Sequence, residues 1–90
     1  MVLLSAFLEH THMSNDTLEI QRRQQFGAAI ARIRKDKHIS QEQLALMAGI
    51  DRSYMGRIER GEQSISLDKI WSIADALNIN PATLFAERTS

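Results

Sequence analysis

Two short helical patterns meet at one glycine in the middle of the chain, in the stretch SQEQLALMAGIDRSYMGRIERGE, residues 40–62. The first pattern opens with a capping box, Ser40 with Gln43 three residues later, and stops at Gly49, a residue type that tolerates left-handed backbone angles. Asp51 can cap the second pattern, which ends before a further glycine. Two short helices joined by a turn of a few residues are typical of a crossed pair rather than an antiparallel hairpin.

Helical spacing continues on both sides of this pair. The sequence DTLE, residues 16–19, has the capping-box form and predicts the start of a first helix that reaches about Lys37. Ser66 is placed to cap a fourth helix, and Asn80 followed by Pro81 opens a fifth. The inward residues predicted for the first four helices are Phe26, Ile30 and Ile33; Leu44, Ala45 and Ala48; Met55 and Ile58; and Leu67, Ile70, Ala74 and Leu77. No alternating strand pattern competes, so the predicted fold class is all-α, with five short helices around one core.

Composition narrows the class of protein. Ninety residues with 43% apolar content make one small domain. The absence of cysteine excludes disulfides and thiolate metal sites and favours a reducing, cytoplasmic environment. The first twelve residues hold an apolar run that is too short to span a bilayer and has no secretory-signal pattern, so we interpret them as an extension upstream of a start at Met13, or as an arm that packs on a partner. The N-terminal extension is assigned to residues 1–14. The domain is expected at residues 15–86, with a tail at 87–90.

The charge is distributed unevenly along the chain. The formal net charge is zero, but residues 21–60 hold nine basic and four acidic residues, a net charge of +5 against −5 elsewhere. A dipolar domain of this kind can present a positive face to a polyanion and stay soluble.

The third helix begins with polar residues, and its two inward residues leave a set of others facing outward: Asp51, Arg52, Ser53, Gly56 and Arg57. A helix whose first turn exposes polar groups can enter the major groove, where base edges offer donors and acceptors. Arg52 and Arg57 can each fork onto O6 and N7 of a guanine, a contact that contributes roughly 1–3 kcal/mol of discrimination. The plainer alternative is that both arginines only solvate an exposed face.

The stretch at residues 40–62, together with the sequence SLDKIWSIADALNINPATLF that comes after it, resembles the Cro and phage-repressor helix-turn-helix family (XRE type). The resemblance covers residues 24–85. The matching positions are Gln41, Leu44, Ala45, Gly49, Ile58, Glu59 and Gly61, with the Leu-x-x-Ile, Ala-x-x-Leu and Pro-x-x-Leu-Phe tail. The DRSYMGRIERG version also resembles controller proteins of restriction-modification systems.

This resemblance implies a lambda-repressor-like domain that binds operator DNA as a dimer. It places Gln41 on a DNA phosphate and pairs Glu59 with Arg34. The residues that it implies for base reading are Asp51, Arg52, Ser53 and Arg57, and those for the DNA backbone are Tyr54, Arg60 and Ser64. Asp51 departs from the pattern because phosphate repels an acid, so we assign it to helix capping, and to orienting Arg52 or accepting from cytosine.

A dimer is also expected from physical grounds, because one recognition helix covers only a few base pairs and a two-fold pair doubles the footprint. The fourth and fifth helices hold more apolar residues than one small core needs, among them Ile73. The predicted interface residues are Trp71, Ile79, Leu84 and Phe85.

Three classes of function follow. The first is a sequence-specific transcriptional regulator, acting as a homodimer on a palindromic operator, with no cofactor, membrane or small-molecule ligand. The second is the antitoxin of a toxin-antitoxin pair. An enzyme is poorly supported, because the sequence has no phosphate-cradling glycine loop and no cluster of carboxylates or histidines on one face. His10 and His12 have no third ligand nearby, so no metal site is expected.

Overall fold

The computed structural model describes the backbone of residues 2–86 and the side chains of residues 16–86. Over that range the chain is helical and has no strand, which confirms the all-α prediction. The elements are α1 (Val2–Asp36), α2 (Gln41–Ala48), α3 (Arg52–Glu59), α4 (Leu67–Leu77) and a 3₁₀ helix (Pro81–Phe85). The predicted fifth α-helix is therefore a single 3₁₀ segment, in which the Thr83 amide donates to the Asn80 carbonyl three residues back at 2.9 Å.

Helix α1 begins much earlier than the sequence predicted. It runs without a break from Val2, so the capping-box pattern at residues 16–19 lies inside a helix and not at its start. Residues 2–26 contain no glycine or proline, and nothing in the local sequence stops a helix there. The predicted domain boundary after residue 14 stays a prediction. No helix in residues 2–86 is long and apolar enough to cross a membrane.

The caps of α2 and α4 are those predicted. The Ser40 amide donates to the Gln43 side chain at 2.7 Å, and the Gln43 amide donates back to the Ser40 hydroxyl at 3.0 Å. Gly49 then ends α2 with φ +68°, a left-handed angle that lets the chain turn sharply into α3. Ser66 caps α4 by accepting from the Lys69 amide at 3.3 Å.

The core lies where all the elements meet. The largest fully buried side chains are Ile30, Leu44, Met55, Ile58, Ile73, Leu77 and Leu84. Two predictions about α4 are wrong. Leu67 was predicted to face inward but is 66% exposed, and Ile73 was counted among the apolar residues that the core does not need but is fully buried. The buried face of α4 is centred on Ile73 and Leu77, so Leu67, at the first position of the helix, projects beyond the core. Met47 on α2 is also 54% exposed.

Two glycines let α3 approach α1 closely. A Cβ at Gly27 would lie against the backbone carbonyls of Ile58 and Glu59, 2.5 Å from the Glu59 oxygen. A Cβ at Gly61, which has φ +74°, would lie 2.6 Å from the Cα of Gln24. Backbone therefore meets backbone along this contact, and α3 is set directly on α1. Sequence reasoning found Gly61 as a helix stop but missed Gly27.

Candidate DNA-binding surface

Asp51 starts α3 as its cap. One carboxylate oxygen accepts from the amides of Ser53 at 3.0 Å and Tyr54 at 3.2 Å, which confirms the capping role. These bonds satisfy amides that have no partner inside the helix, and the negative charge suits the positive end of the helix dipole. Arg52 and Ser53 in the first turn remain exposed.

The outward side of α3 forms a shallow polar concavity, here called the recognition surface. Its lining residues are Gln41, Arg52, Ser53, Gly56, Arg57, Arg60 and Glu62. Three of the four residues predicted to read bases thus lie together with two of the four predicted for the backbone. Gly56 was expected to face outward, but it is buried beneath the side chains of Arg60 and Gln41.

Two polar side chains in the turn after α3 accept hydrogen bonds from two arginines of the recognition surface. Arg57 Nε donates to Gln63 Oε1 at 3.2 Å. Arg60 forks onto Glu62, with Nε to Oε2 at 2.8 Å and Nη2 to Oε1 at 3.2 Å. The hydrogen bond from Arg60 lowers the pKa of Glu62 from its usual value, and the same bond raises the pKa of Arg60. Sequence reasoning missed both Glu62 and Gln63, although the run ERGEQ shows polar residues directly after the helix.

Tyr54 ties α3 to the segment that follows. Its hydroxyl donates to the Ser64 carbonyl at 3.2 Å. The Cζ of Arg57 and the Nζ of Lys69 lie 5.8 and 5.3 Å from the centre of its ring. Cations at this distance from a ring contribute about 0.5–1 kcal/mol each at exposed sites. Tyr54 and Ser64 therefore pair with each other at the side of the recognition surface rather than in its lining.

The ion pair between Arg34 and Glu59 is present, as predicted. Arg34 Nε and Nη2 donate to the two carboxylate oxygens at 2.8 and 3.0 Å, and Arg34 Nη1 donates to the Ile39 carbonyl at 3.0 Å. The two side chains are only 11% and 6% exposed. The pair joins the end of α1 to the end of α3.

Gln41 completes this network from α2. Its side-chain amide donates to Glu59 Oε1 at 2.9 Å. The amide nitrogen carries a second hydrogen, and the first backbone amides of α2 have no partner within the helix. Gln41 can therefore hold Glu59 and keep a donor for another acceptor. Its contact with a DNA phosphate stays a prediction, and its contact with Glu59 was not foreseen.

The predicted dimer residues differ in exposure. Trp71 is 50% exposed, Phe85 is 59% exposed and Ile79 is partly buried. Leu84 is 2% exposed and lies in the core of the single chain, which corrects its assignment to an interface, because a side chain already packed inside cannot cover a partner. The ring of Phe85 also packs on Phe26, with ring centres 4.8 Å apart.

A larger groove lies on another side of the molecule, between α1 and the 3₁₀ helix. Its lining includes Arg22, Arg32, Phe26 and Phe85, but none of the predicted base-reading residues. In the part of the chain with described side chains, no three carboxylates or histidines gather into a site for a metal ion. His10 and His12 lie outside that part.

Comparison with known proteins identifies this arrangement. The control protein C.BamHI of Bacillus amyloliquefaciens is 42% identical to the chain over 60 residues, which cover 66% of this chain and 74% of that protein. The immunity repressor protein of Bacillus phage phi105 is 38% identical over 63 residues, covering 70% of this chain and 44% of that protein.

Solved structures agree with these sequence matches. The crystal structure of the restriction-modification controller protein C.AhdI from Aeromonas hydrophila has a TM-score of 0.68 and 45% identity, covering 69% of this chain and 94% of that chain. The master regulator for biofilm formation SinR, in complex with DNA, has a TM-score of 0.65 and 32% identity, covering 68% of this chain and 98% of that chain. The profile of the HTH_3 helix-turn-helix family matches residues 30–84. The chain therefore belongs to the HTH_3 (XRE-type) helix-turn-helix family of DNA-binding transcriptional regulators.

Proposed function

We propose that the protein is a sequence-specific regulator that binds a palindromic operator as a homodimer and controls a restriction-modification system. The observation that carries the proposal is the recognition surface, in which Arg52 and Arg57 are exposed on a helix that the Arg34–Glu59 pair fixes to α1. The likeness to C.BamHI and C.AhdI, which are named controller proteins, supports the finer assignment.

Readout of sequence falls to the side chains on α3. Arg52 and Arg57 are each long enough to fork onto a guanine, and Ser53 lies between them on the exposed face. Asp51 has its carboxylate engaged with the helix amides, so its main effect is to hold the first turn and thereby aim Arg52. Gln41 and Arg60 flank these readers and are placed for phosphates.

Truncating a base-reading arginine and truncating a phosphate-binding arginine are expected to change DNA binding in different ways. Arg57→Ala should weaken operator binding by roughly 1–3 kcal/mol and relax preference at one base pair per half-site, with less effect on random DNA. Arg60→Ala should weaken operator and random DNA by similar factors and lower the salt slope by about one unit for each phosphate that is no longer neutralised. The operator is first found by sequencing DNA selected by the purified protein, and each variant is then titrated at several salt concentrations.

Arg22→Ala is the matched control, because it removes an exposed arginine from α1, outside the recognition surface. It should leave sequence preference unchanged. If Arg57→Ala weakened all sequences equally, α3 would be an electrostatic contact rather than a reader, and the proposal would be wrong.

Dimer formation is proposed through apolar side chains at the end of the fold: Trp71 and Phe85, which are exposed, and Ile79, which is partly buried. Trp71→Glu should give a folded monomer that binds the operator weakly, because each half-site then carries its own association cost. Sedimentation velocity measures the oligomer and circular dichroism the fold. Leu46→Glu is the control, since Leu46 is 83% exposed on α2. An unchanged dimer in Trp71→Glu would place the interface elsewhere.

A further inference from the structure

One acidic side chain lies on the recognition surface among three arginines. Glu62 is exposed and is the only acid in a lining that also contains Arg52, Arg57 and Arg60. Its two carboxylate oxygens accept from Nε and Nη2 of Arg60 at 2.8 and 3.2 Å. The same edge of a guanidinium is the one that forks onto a phosphate. The carboxylate therefore occupies the edge of Arg60 that would fork onto a DNA phosphate.

The charge on Glu62 is secured by its neighbours. The hydrogen bond from Arg60, together with the positive charges of Arg60 and Arg57, holds the pKa of Glu62 below its usual range. Glu62 is therefore ionised at neutral pH, and a full negative charge stands on the face that meets DNA.

We propose that Glu62 is an intramolecular competitor for DNA phosphate, which lowers the affinity of the recognition surface for every DNA sequence and so raises the protein concentration needed to occupy the operator. This inference rests on the proposed DNA-binding function. On binding, Arg60 exchanges the carboxylate for a phosphate, and Glu62 is left beside a polyanion. The competition between Glu62 and a phosphate is the same for every DNA sequence, because phosphates carry no sequence information. The ratio of operator to random affinity is therefore kept, while less protein is held on random DNA.

The test is Glu62→Gln, which keeps the size of the side chain and removes its charge. We expect operator and random duplexes to bind roughly two- to fivefold more tightly at low salt, the range of an exposed ion pair. The salt slope should steepen by up to about one unit, because Arg60 then neutralises a phosphate without opposition. Asp16→Asn makes the same change of net charge on α1. Asp16 is exposed and lies eight residues before Gln24, the α1 residue on which Gly61 packs, which is about 12 Å along the helix axis, so its substitution should have a smaller effect.

A second comparison tests whether Glu62 acts through Arg60. In an Arg60→Ala background, Glu62→Gln should give a smaller gain than in the native protein, because the group for which Glu62 competes is absent. Equal gains in both backgrounds, or no gain in the native background, would overturn the proposal. Weaker operator binding with unchanged random binding would also overturn it, since Glu62 would then be reading a base. A native protein that prefers no selected sequence would instead refute the proposed function, and the gain on random DNA would still be measurable.

Discussion

Gly27→Ala is expected to lower the free energy of unfolding by about 3 kcal/mol or more, the upper range for overpacking a close contact. The added methyl group would overlap the backbone carbonyls of Ile58 and Glu59, which cannot rotate away as a side chain can. Either α1 or α3 must then shift. A shift of α3 would also move Arg52 and Arg57, so operator binding should fall even where the variant remains folded.

Gly56→Ala is the matched control. Alanine is normally the better helix residue by about 0.5–1 kcal/mol. At Gly56 the new methyl group would meet the ends of two side chains, Arg60 Nη1 at 3.1 Å and Gln41 Oε1 at 3.4 Å, which can move aside. Chemical denaturation should therefore show a small change for Gly56→Ala and a large loss for Gly27→Ala. Similar stabilities of the two variants would show that the contact between α1 and α3 is looser than the structure has it.

Arg34→Met is expected to cost about 3–5 kcal/mol of stability, because it leaves the carboxylate of Glu59 buried without its cation. The Glu59 side chain is 6% exposed, and only the amide of Gln41 would remain to compensate it. The carbonyl of Ile39 would also lose its donor.

The double variant Arg34→Met/Glu59→Gln should recover much of this loss, because the unpaired charge is then gone. Together with Glu59→Gln alone it completes a double-mutant cycle, and a large coupling energy is expected. The chain offers its own control in Arg60 and Glu62, a pair of the same chemistry whose side chains are 59% and 53% exposed. Breaking that pair with Glu62→Gln should leave the melting temperature unchanged. If Arg34→Met melted at the native temperature as well, the pair would not fasten α3 to α1.

Local signals in the sequence predicted the helix-turn-helix unit well. The caps at Ser40, Asp51 and Ser66 and the left-handed turn at Gly49 are all present. Each of these features depends on hydrogen bonds or dihedral angles within a few residues, so the amino acids at those positions suffice to predict it. The outward placement of Arg52 and Arg57 follows from the same local periodicity.

Predictions that depended on distant neighbours were less successful. Leu67 lies outside the core, and Ile73 and Leu84 lie inside it, because the buried side of α4 and of the 3₁₀ helix is set by the elements that cover them. The partner of Arg34 came from resemblance to a family and could not be read from the spacing, since Glu59 lies 25 residues away. Gly27 gave no local signal, because its importance arises only where α3 crosses α1.

The amino-acid sequence alone determined the helical class, the crossed pair of helices and the polar face of the second of them, since short-range hydrogen bonding and helical periodicity decide these. Only the tertiary structure decided how that face is held. The contact of Gly27 with α3 and the bond from Gln41 to Glu59 both require atoms from different elements to meet. Such contacts depend on how the helices pack together, and no local pattern in the chain specifies that packing.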